Sequence, residues 1–367
     1  MIKKFLDEEF GNILDDLKKI SSVPSPPFKE RQRALFLQGF LKENNYNSNI
    51  DKEGNLVAPK KGLTDGCIVW SAHIDTIFPE GTGISIKEKG GKIFCPGICD
   101  NSAGIVALLY LMKYLKKFKI REKHSNIFLF NVGEEGLGNL RGVRFFFDNL
   151  SSHVKAHICV EGHKIGRLTT RVVGSFRQKI TVKSEGGHSW RDYGKPNAIV
   201  IASEIINQLS KIKFPEEPKT TLNIGTISGG KSVNSIPSYA EFAYEVRSLD
   251  KGCLKAAMQK ANEMASSFRK FASIEMEELG KRPCGEMKDA ELIRIVKNVH
   301  TELGIETIED VGSTDSNYPI SLGLPSVTVG ITNGGNTHSE EEFLFIGQIK
   351  KGIEQLILLH KALNSDL

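Results

Sequence analysis

No apolar run in this chain reaches the roughly 18 residues that a membrane span requires. The N-terminus also lacks the apolar core of a secretion signal. Phe5, Leu6, Phe10, Ile13, Leu14, Leu17 and Ile20 instead recur there at helical spacing among charges, the pattern of an amphipathic helix. Long runs of one charge are missing too. Lysine and glutamate interleave, and the net charge is only +5 over 367 residues, so neither nucleic acid nor an anionic membrane is expected as a partner. Cysteine is sparse. The six, at 67, 95, 99, 159, 253 and 284, are scattered, and several lie in apolar runs, which points to reduced, buried thiols in a cytoplasmic protein. Cys95 and Cys99 are four apart, but no second Cys/His pair completes a structural zinc site around them. The chain has neither an internal repeat nor a low-complexity segment.

What is present is the composition of a globular protein, 40% hydrophobic and 25% charged, in a chain long enough for two domains. After the first helix and a Pro/Ser break at Ser22–Pro27, a second helix is expected over Glu30–Glu43. Strands at Cys67–Ala72, Asn126–Val132 and His157–Val160 then alternate with helices at Ala103–Phe118 and Val143–Leu150. This alternation predicts an α/β domain with a mostly parallel sheet. Near residue 172 the pattern changes to strand–helix–strand–strand–helix–strand and runs to Ser273–Glu278, a ferredoxin-like α+β module. The parallel-sheet style returns after Pro283, with a helix over Ala290–Leu303, a strand at Ser326–Val329 and a last helix over Gly347–His360. The chain therefore reads as an α/β domain of residues 1–171 and 282–367, with an α+β domain of residues 172–281 inserted into it.

Ligands of open α/β sheets gather at the carboxyl ends of the strands, and the unusual polar residues of this chain sit there. The first strand ends in Ser71-Ala72-His73-Ile74-Asp75. Residues two apart in an extended segment share a face, so Asp75 is placed to partner one nitrogen of His73 while the other binds a metal. Asp100 precedes the apolar helix, Glu134 and Glu135 end the second strand, Glu161 ends the third, and His338 follows the last. Two adjacent carboxylates between glycines repel each other, and a cation removes that repulsion. Two histidines and three carboxylates suit a pair of zinc ions, one carboxylate bridging, although such sites also accept cobalt or manganese. Paired ions lower the pKa of water toward 7 and clamp the substrate oxygen, and the spare carboxylate of the Glu134–Glu135 pair serves as general base. Asp100 is alternatively a helix N-cap, and His163 competes with Glu161 as a ligand. Residues 225–232 satisfy the P-loop pattern G-x-x-x-x-G-K-[ST], but Pro237 and a strand follow them where a helix must open, so no nucleotide is expected.

The motifs SAHIDT, GICDNSAGI, VGEEGLGN, CVEG, EGGHSW, SVNSIP, EVRS, GSTDSN and NTHSEEEF occur in that order. Together they resemble the M20 family of metallopeptidases, which includes peptidase T, aminoacylases, succinyl-diaminopimelate desuccinylase and bacterial carboxypeptidases. The resemblance covers nearly the whole chain. It implies His73, Asp100 and Glu161 on one zinc and Asp100, Glu135 and His338 on the other. Asp100 is then the bridge, followed by a cis peptide, with Glu134 as the base and Asp75 orienting His73. It also implies that the inserted domain is a lid and dimerisation module, from which His188 reaches the partner's metals as an oxyanion donor. Asn234 and Arg247 match positions that hold a substrate carboxylate or carbonyl, and Arg247 is alternatively paired with a neighbouring acid and Asn234 a turn residue. Ser313 and Asp315, within Gly312–Asp315, and Gly335, within Gly334–Asn336, match positions lining the substrate pocket.

The expectation is a cytoplasmic, homodimeric exopeptidase resembling peptidase T and acting on short peptides. The stretches GSTDSNYPISLGLP and VGEEGLGNLRG favour that branch. A deacylase acting on N-acyl amino acids is the alternative with the same metals. A non-catalytic binding protein is the alternative of another class, and it would be expected to have lost Glu134 or a ligand.

Overall fold

The computed structural model describes residues 1–60, 62 and 64–365. Two compact units emerge: Met1–Val172 with the chain from Glu286 onward, and Val173–Gly285.

Among the described residues the first unit carries a nine-stranded sheet. Its centre is four neighbouring parallel strands, in the order His124–Asn131, Thr64–His73, His153–Glu161 and Ser326–Gly330. Parallel pairing places the carboxyl ends of all four at one edge, so Asn131, His73, Glu161 and Gly330 finish side by side. The central strands are buried on both faces and read as apolar runs, as in Cys67-Ile68-Val69-Trp70. Leu56–Lys60 adds antiparallel to one side, and Arg167–Val172 adds antiparallel to Ser326–Gly330 on the other. Neither of these two flanking strands was expected from the sequence pattern, nor were two further pieces. Ile308–Gly312 pairs with Arg167–Val172, and a small sheet joins Gly334–Gly335, Phe343–Phe345, Lys92–Phe94 and Lys87–Lys89. Strands of two or three residues are too short to show alternation.

The helix Ala103–Lys117 packs with Ile2–Ser21 and Ile349–Ser365, and twelve of its fifteen residues are buried. Each of its buried leucines and isoleucines contributes roughly 1.5–3 kcal/mol. By length and composition Ile98–Lys117 is also apolar enough to cross a membrane, but 89% of that window is buried inside this domain, where the core takes up its apolar surface.

The second unit is a four-stranded antiparallel sheet in the order Thr220–Gly229, Tyr239–Ser248, Gly174–Lys183, Ser273–Arg282. Helices Ala198–Ser210 and Lys251–Ser266 pack on it and on each other, opened by the side-chain caps Asn197 and Asp250. In the strand Tyr239–Ser248 every second residue, from Ala240 to Ser248, is buried, the period of a one-sided sheet. Residues 225–232 lie in a strand–loop–strand hairpin, with no helix opening at Lys231.

Candidate metal centre

The edge formed by the four parallel strands assembles the site. His73 and Glu161 are the last residues of neighbouring strands. Beyond Asn131 the chain turns at Gly133, whose φ of +72° is left-handed and whose added Cβ would lie 2.6 Å from Arg141. That turn delivers Glu134 and Glu135. Asp100 lies in the irregular stretch Ile98–Ser102, at φ −114° and ψ 90°, with a cis peptide bond to Asn101. It does not cap the following helix. Its carboxylate faces two imidazoles instead, with Oδ1 at 3.0 Å from His73 Nε2 and Oδ2 at 3.4 Å from His338 Nε2. His338 Nε2 lies 3.2 Å from Glu135 Oε1, and His73 Nε2 lies 3.9 Å from Glu161 Oε2.

Two donor groups result, His73–Asp100–Glu161 and Asp100–Glu135–His338, each with its ligand atoms within 4.8 Å of one another and with Asp100 in both. Glu135, not Glu134, stands among them. Glu134 is buried alongside. His163 is not in either group: its Nε2 lies 3.1 Å from Arg167 Nη1, and burial holds its pKa below the usual imidazole range.

Electrostatics make the same demand as the geometry. Burial pushes Glu161 up to about 8 and raises Glu135. Asp100 is raised by burial, but hydrogen bonds from His338 and His73 override it and hold it below the usual carboxylate range. Burial opposes charge on His73, yet Asp100, Asp75 and Glu161 keep its pKa well above 6.5. Hydrogen bonds to Asp100 and Glu135 raise half-exposed His338 to about 10. Three buried carboxylates thus recruit protons onto two imidazoles for want of other positive charge. Nitrogen and carboxylate oxygen donors in two groups sharing one carboxylate fit a pair of divalent ions.

The sequence profile of peptidase family M20/M25/M40 matches residues 69–361. The chain belongs to that family. Carboxypeptidase G2 of a Pseudomonas species (strain RS-16) is 24% identical over 326 residues, 85% of this chain and 78% of that protein. Acetylornithine deacetylase of Buchnera aphidicola is 23% identical over 395 residues, 97% of this chain and 99% of that one. In fold, the chain is similar to a tripeptidase of Staphylococcus aureus with a TM-score of 0.81 at 20% identity, over 97% and 98% of the two chains.

Around the donor groups of this M20 hydrolase, the structure changes several readings. The nearest partner of His73 Nδ1 is the Asp75 main-chain oxygen at 3.0 Å, not the carboxylate at 3.6 Å. The carboxylate accepts instead from the amides of Glu134 (3.1 Å) and Glu135 (2.7 Å). Asp315 does not line an open pocket. It is fully buried and accepts from Nδ2 of Asn131, the last residue of its strand, at 2.7 Å. Ser313 is half-buried. Gly335 is a packing glycine, since a Cβ there would meet the Phe343 ring at 2.9 Å, and one on Gly334 would meet Cys99 Sγ at 2.6 Å.

In the second unit, His188 and Asn234 come together, because Gly187–His188 pairs with Ser235–Ile236 and the Ser189 amide donates to Asn234 O at 3.1 Å. Arg247 pairs with an acid of its own strand: Nε and Nη2 contact Glu245 at 2.5 and 3.3 Å, and Arg177 holds the same carboxylate at 2.6 Å.

Two buried residues escaped the sequence reading of the M20 site. Arg33 donates to Val23 O (2.8 Å) and Ile74 O (3.1 Å) behind Asp75, and burial lowers its guanidinium to about 10. Glu342 accepts from the amides of Gly97, Cys99 and Asp100. The run Glu340–Glu342 carried the only signal, and nothing local distinguishes its buried member.

Proposed function

We propose that this M20-family hydrolase cleaves amide bonds of short peptides as a zinc exopeptidase. The two donor groups sharing Asp100, with Glu134 buried beside them, carry this reading. Zinc suits the mixed imidazole and carboxylate donors, and a related structure, YxeP of Bacillus subtilis, is described as a dinuclear metal-binding peptidase. His73 and Glu161 would hold one ion, Glu135 and His338 the other, with Asp100 available to both. When bound, such ions acidify a water and polarise the scissile carbonyl.

Glu134 takes a proton from the attacking water as its oxygen adds to the carbonyl carbon. It returns that proton to the nitrogen as the carbon–nitrogen bond breaks, leaving a carboxylate and a free amine. His188 supplies a donor to the carbonyl oxygen. Its Nδ1 accepts from the amides of Trp190 (3.2 Å) and Arg191 (3.4 Å), which leaves the proton of the neutral ring on Nε2. That N–H is the donor assigned in this reading to the oxygen on which negative charge develops. Asn234, next to His188, is a second polar group for the substrate.

A homodimer is part of this reading. The strand Thr220–Gly229 is a sheet edge whose last residues, Ile227 among them, are exposed. Trp190 and Tyr193, near His188, are 86% and 91% exposed. Open edges and exposed aromatics are surfaces that a second copy covers.

The related carboxypeptidase supports peptides as substrates, and the related deacetylase sets the contrast. The test is a panel of free dipeptides and tripeptides, N-blocked peptides and N-acyl amino acids, offered to metal-loaded protein. Fastest turnover of free peptides is expected. Preference for N-acyl amino acids replaces this reading with a deacylase. Inertness across the panel with two ions demonstrably bound overturns the enzyme reading altogether.

A further inference from the structure

The stretch Gly97–Asn101 departs from helical φ/ψ at Asp100 and Asn101, although Ser102 N still donates to Gly97 O at 3.2 Å. Its buried amides need an acceptor from elsewhere. Glu342 supplies it: Oε2 accepts from Gly97 N at 3.1 Å, and Oε1 from Cys99 N at 2.7 Å and Asp100 N at 2.8 Å. A carboxylate has the lone pairs to take three such bonds, whereas an amide side chain has one acceptor oxygen. Glu342 is fully buried. Among the described residues no lysine or arginine pairs with it. Its main chain extends the tie, with Glu342 O accepting from Cys95 N at 3.0 Å and Glu342 N donating to Ser339 O at 3.1 Å. Ser339 directly follows His338. One residue therefore connects the loop that presents His338 to the loop that presents Asp100.

We propose that Glu342 is a positioning residue of the metal centre: by cradling the Cys99 and Asp100 amides it aims the shared carboxylate and fixes the spacing of Asp100 and His338. The inference rests on the reading of Asp100 as a ligand to both ions. A loop clamp with no bearing on metal would stabilise the fold and do nothing else. A positioning role also predicts that changes at Glu342 weaken the ion held by Asp100, Glu135 and His338 most, because both loops of that group hang on it. Groups one bond removed from the ligands typically change affinity by about 10–100-fold.

Cobalt(II) titration of the metal-free full chain tests this, followed by visible absorption and by competition with a chelator, for wild type, Glu342→Gln and Glu342→Asp. Gln keeps the size but turns an NH2 toward an amide donor; Asp keeps the charge but withdraws it from the amides. Both variants are expected to bind the ion of the Asp100–Glu135–His338 group about 10–100-fold less tightly, with an altered cobalt spectrum. The kcat of the fully loaded enzyme should fall with KM unchanged. If both variants bind two ions with wild-type affinity and spectrum, the proposal is overturned even where the melting temperature of the metal-free protein drops. If one variant does not fold, the other decides by the same criterion. Wild-type protein that takes up no cobalt overturns the metal reading itself and this inference with it, whereas a normal wild type beside unaffected variants overturns this inference alone.

Discussion

Asp75 Oδ2 accepts the Glu135 amide hydrogen at 2.7 Å, while the main-chain oxygen of the same aspartate lies 3.0 Å from His73 Nδ1. One residue beyond a strand end thereby touches both donor groups, one through its backbone and the other through its side chain. Burial alone would raise its pKa, but His73 and the Glu135 and Glu134 amides keep the carboxylate ionised. Behind it, Arg33 holds the Ile74 carbonyl.

The first prediction concerns that double attachment. In Asp75→Asn one oxygen still accepts an amide, but the NH2 group faces the other, so the Glu134–Glu135 turn shifts. Affinity for the ion at Glu135 is expected to fall about 10–100-fold, with a smaller loss at His73, whose backbone partner remains. Equilibrium dialysis resolves the two steps. Loss confined to the His73 ion would restore the simpler picture of a carboxylate that only orients an imidazole.

Removing Glu134 separates base from ligand. Glu134→Ala should lose about 10²–10⁴-fold in kcat and keep both ions by elemental analysis. Loss of metal instead reverses the roles of Glu134 and Glu135. The same variant tests subunit sharing when mixed with His188→Ala, itself expected to be inactive. If His188 serves the partner's site, mixed dimers contain one site with both groups, and random exchange recovers about a quarter of wild-type activity. No recovery after verified exchange places His188 in its own subunit's site or outside catalysis.

Metal uptake should release protons. In the metal-free protein the facing carboxylates keep His73 protonated at neutral pH and His338 up to about pH 10, and burial keeps Glu161 protonated up to about 8. Near neutral pH these protons must leave before the ligands bind a cation, so affinity falls as pH falls. Calorimetry in buffers of different ionisation enthalpy should report release of about three protons per doubly loaded site. A heat of binding independent of buffer contradicts the assignment of these residues as ligands.

His157 gives a second pH dependence, in the core. It bridges three parallel strands, with Nε2 2.8 Å from Ser71 Oγ and Nδ1 2.7 Å from Ser326 Oγ, and burial depresses its pKa to about 3. The unfolded chain takes up this proton below about pH 6.5, while the folded one does not until about pH 3. Its contribution to stability is therefore full at neutral pH and lost as pH falls through that window, on the order of 5 kcal/mol across the whole span. Urea midpoints of wild type and His157→Gln should converge on acidification. Parallel curves would mean that His157 is not buried neutral.

The residues of the two donor groups were legible in the order of residues, for a local reason. His73, Asp100, Glu135 and Glu161 each sit at or just past a strand end or before a helix, where parallel topology gathers the strand ends at one edge, and His338 follows the last parallel strand in a loop. Periods of two and 3.6 likewise announced the strands and helices that carry them. Choices between near-equal neighbours were not legible, because they depend on what closes over each side chain. Glu161 lies among the donor groups and His163 beside Arg167 only once the sheet edge has formed. Arg247 faces Glu245 because alternate residues of one strand share a face, a pairing that the sequence left open beside substrate binding. Glu342 is one of three consecutive glutamates, identical in local character, and it is singled out by amides some 240 residues away in sequence. Burying a carboxylate requires converging donors, and only long-range folding brings those donors together.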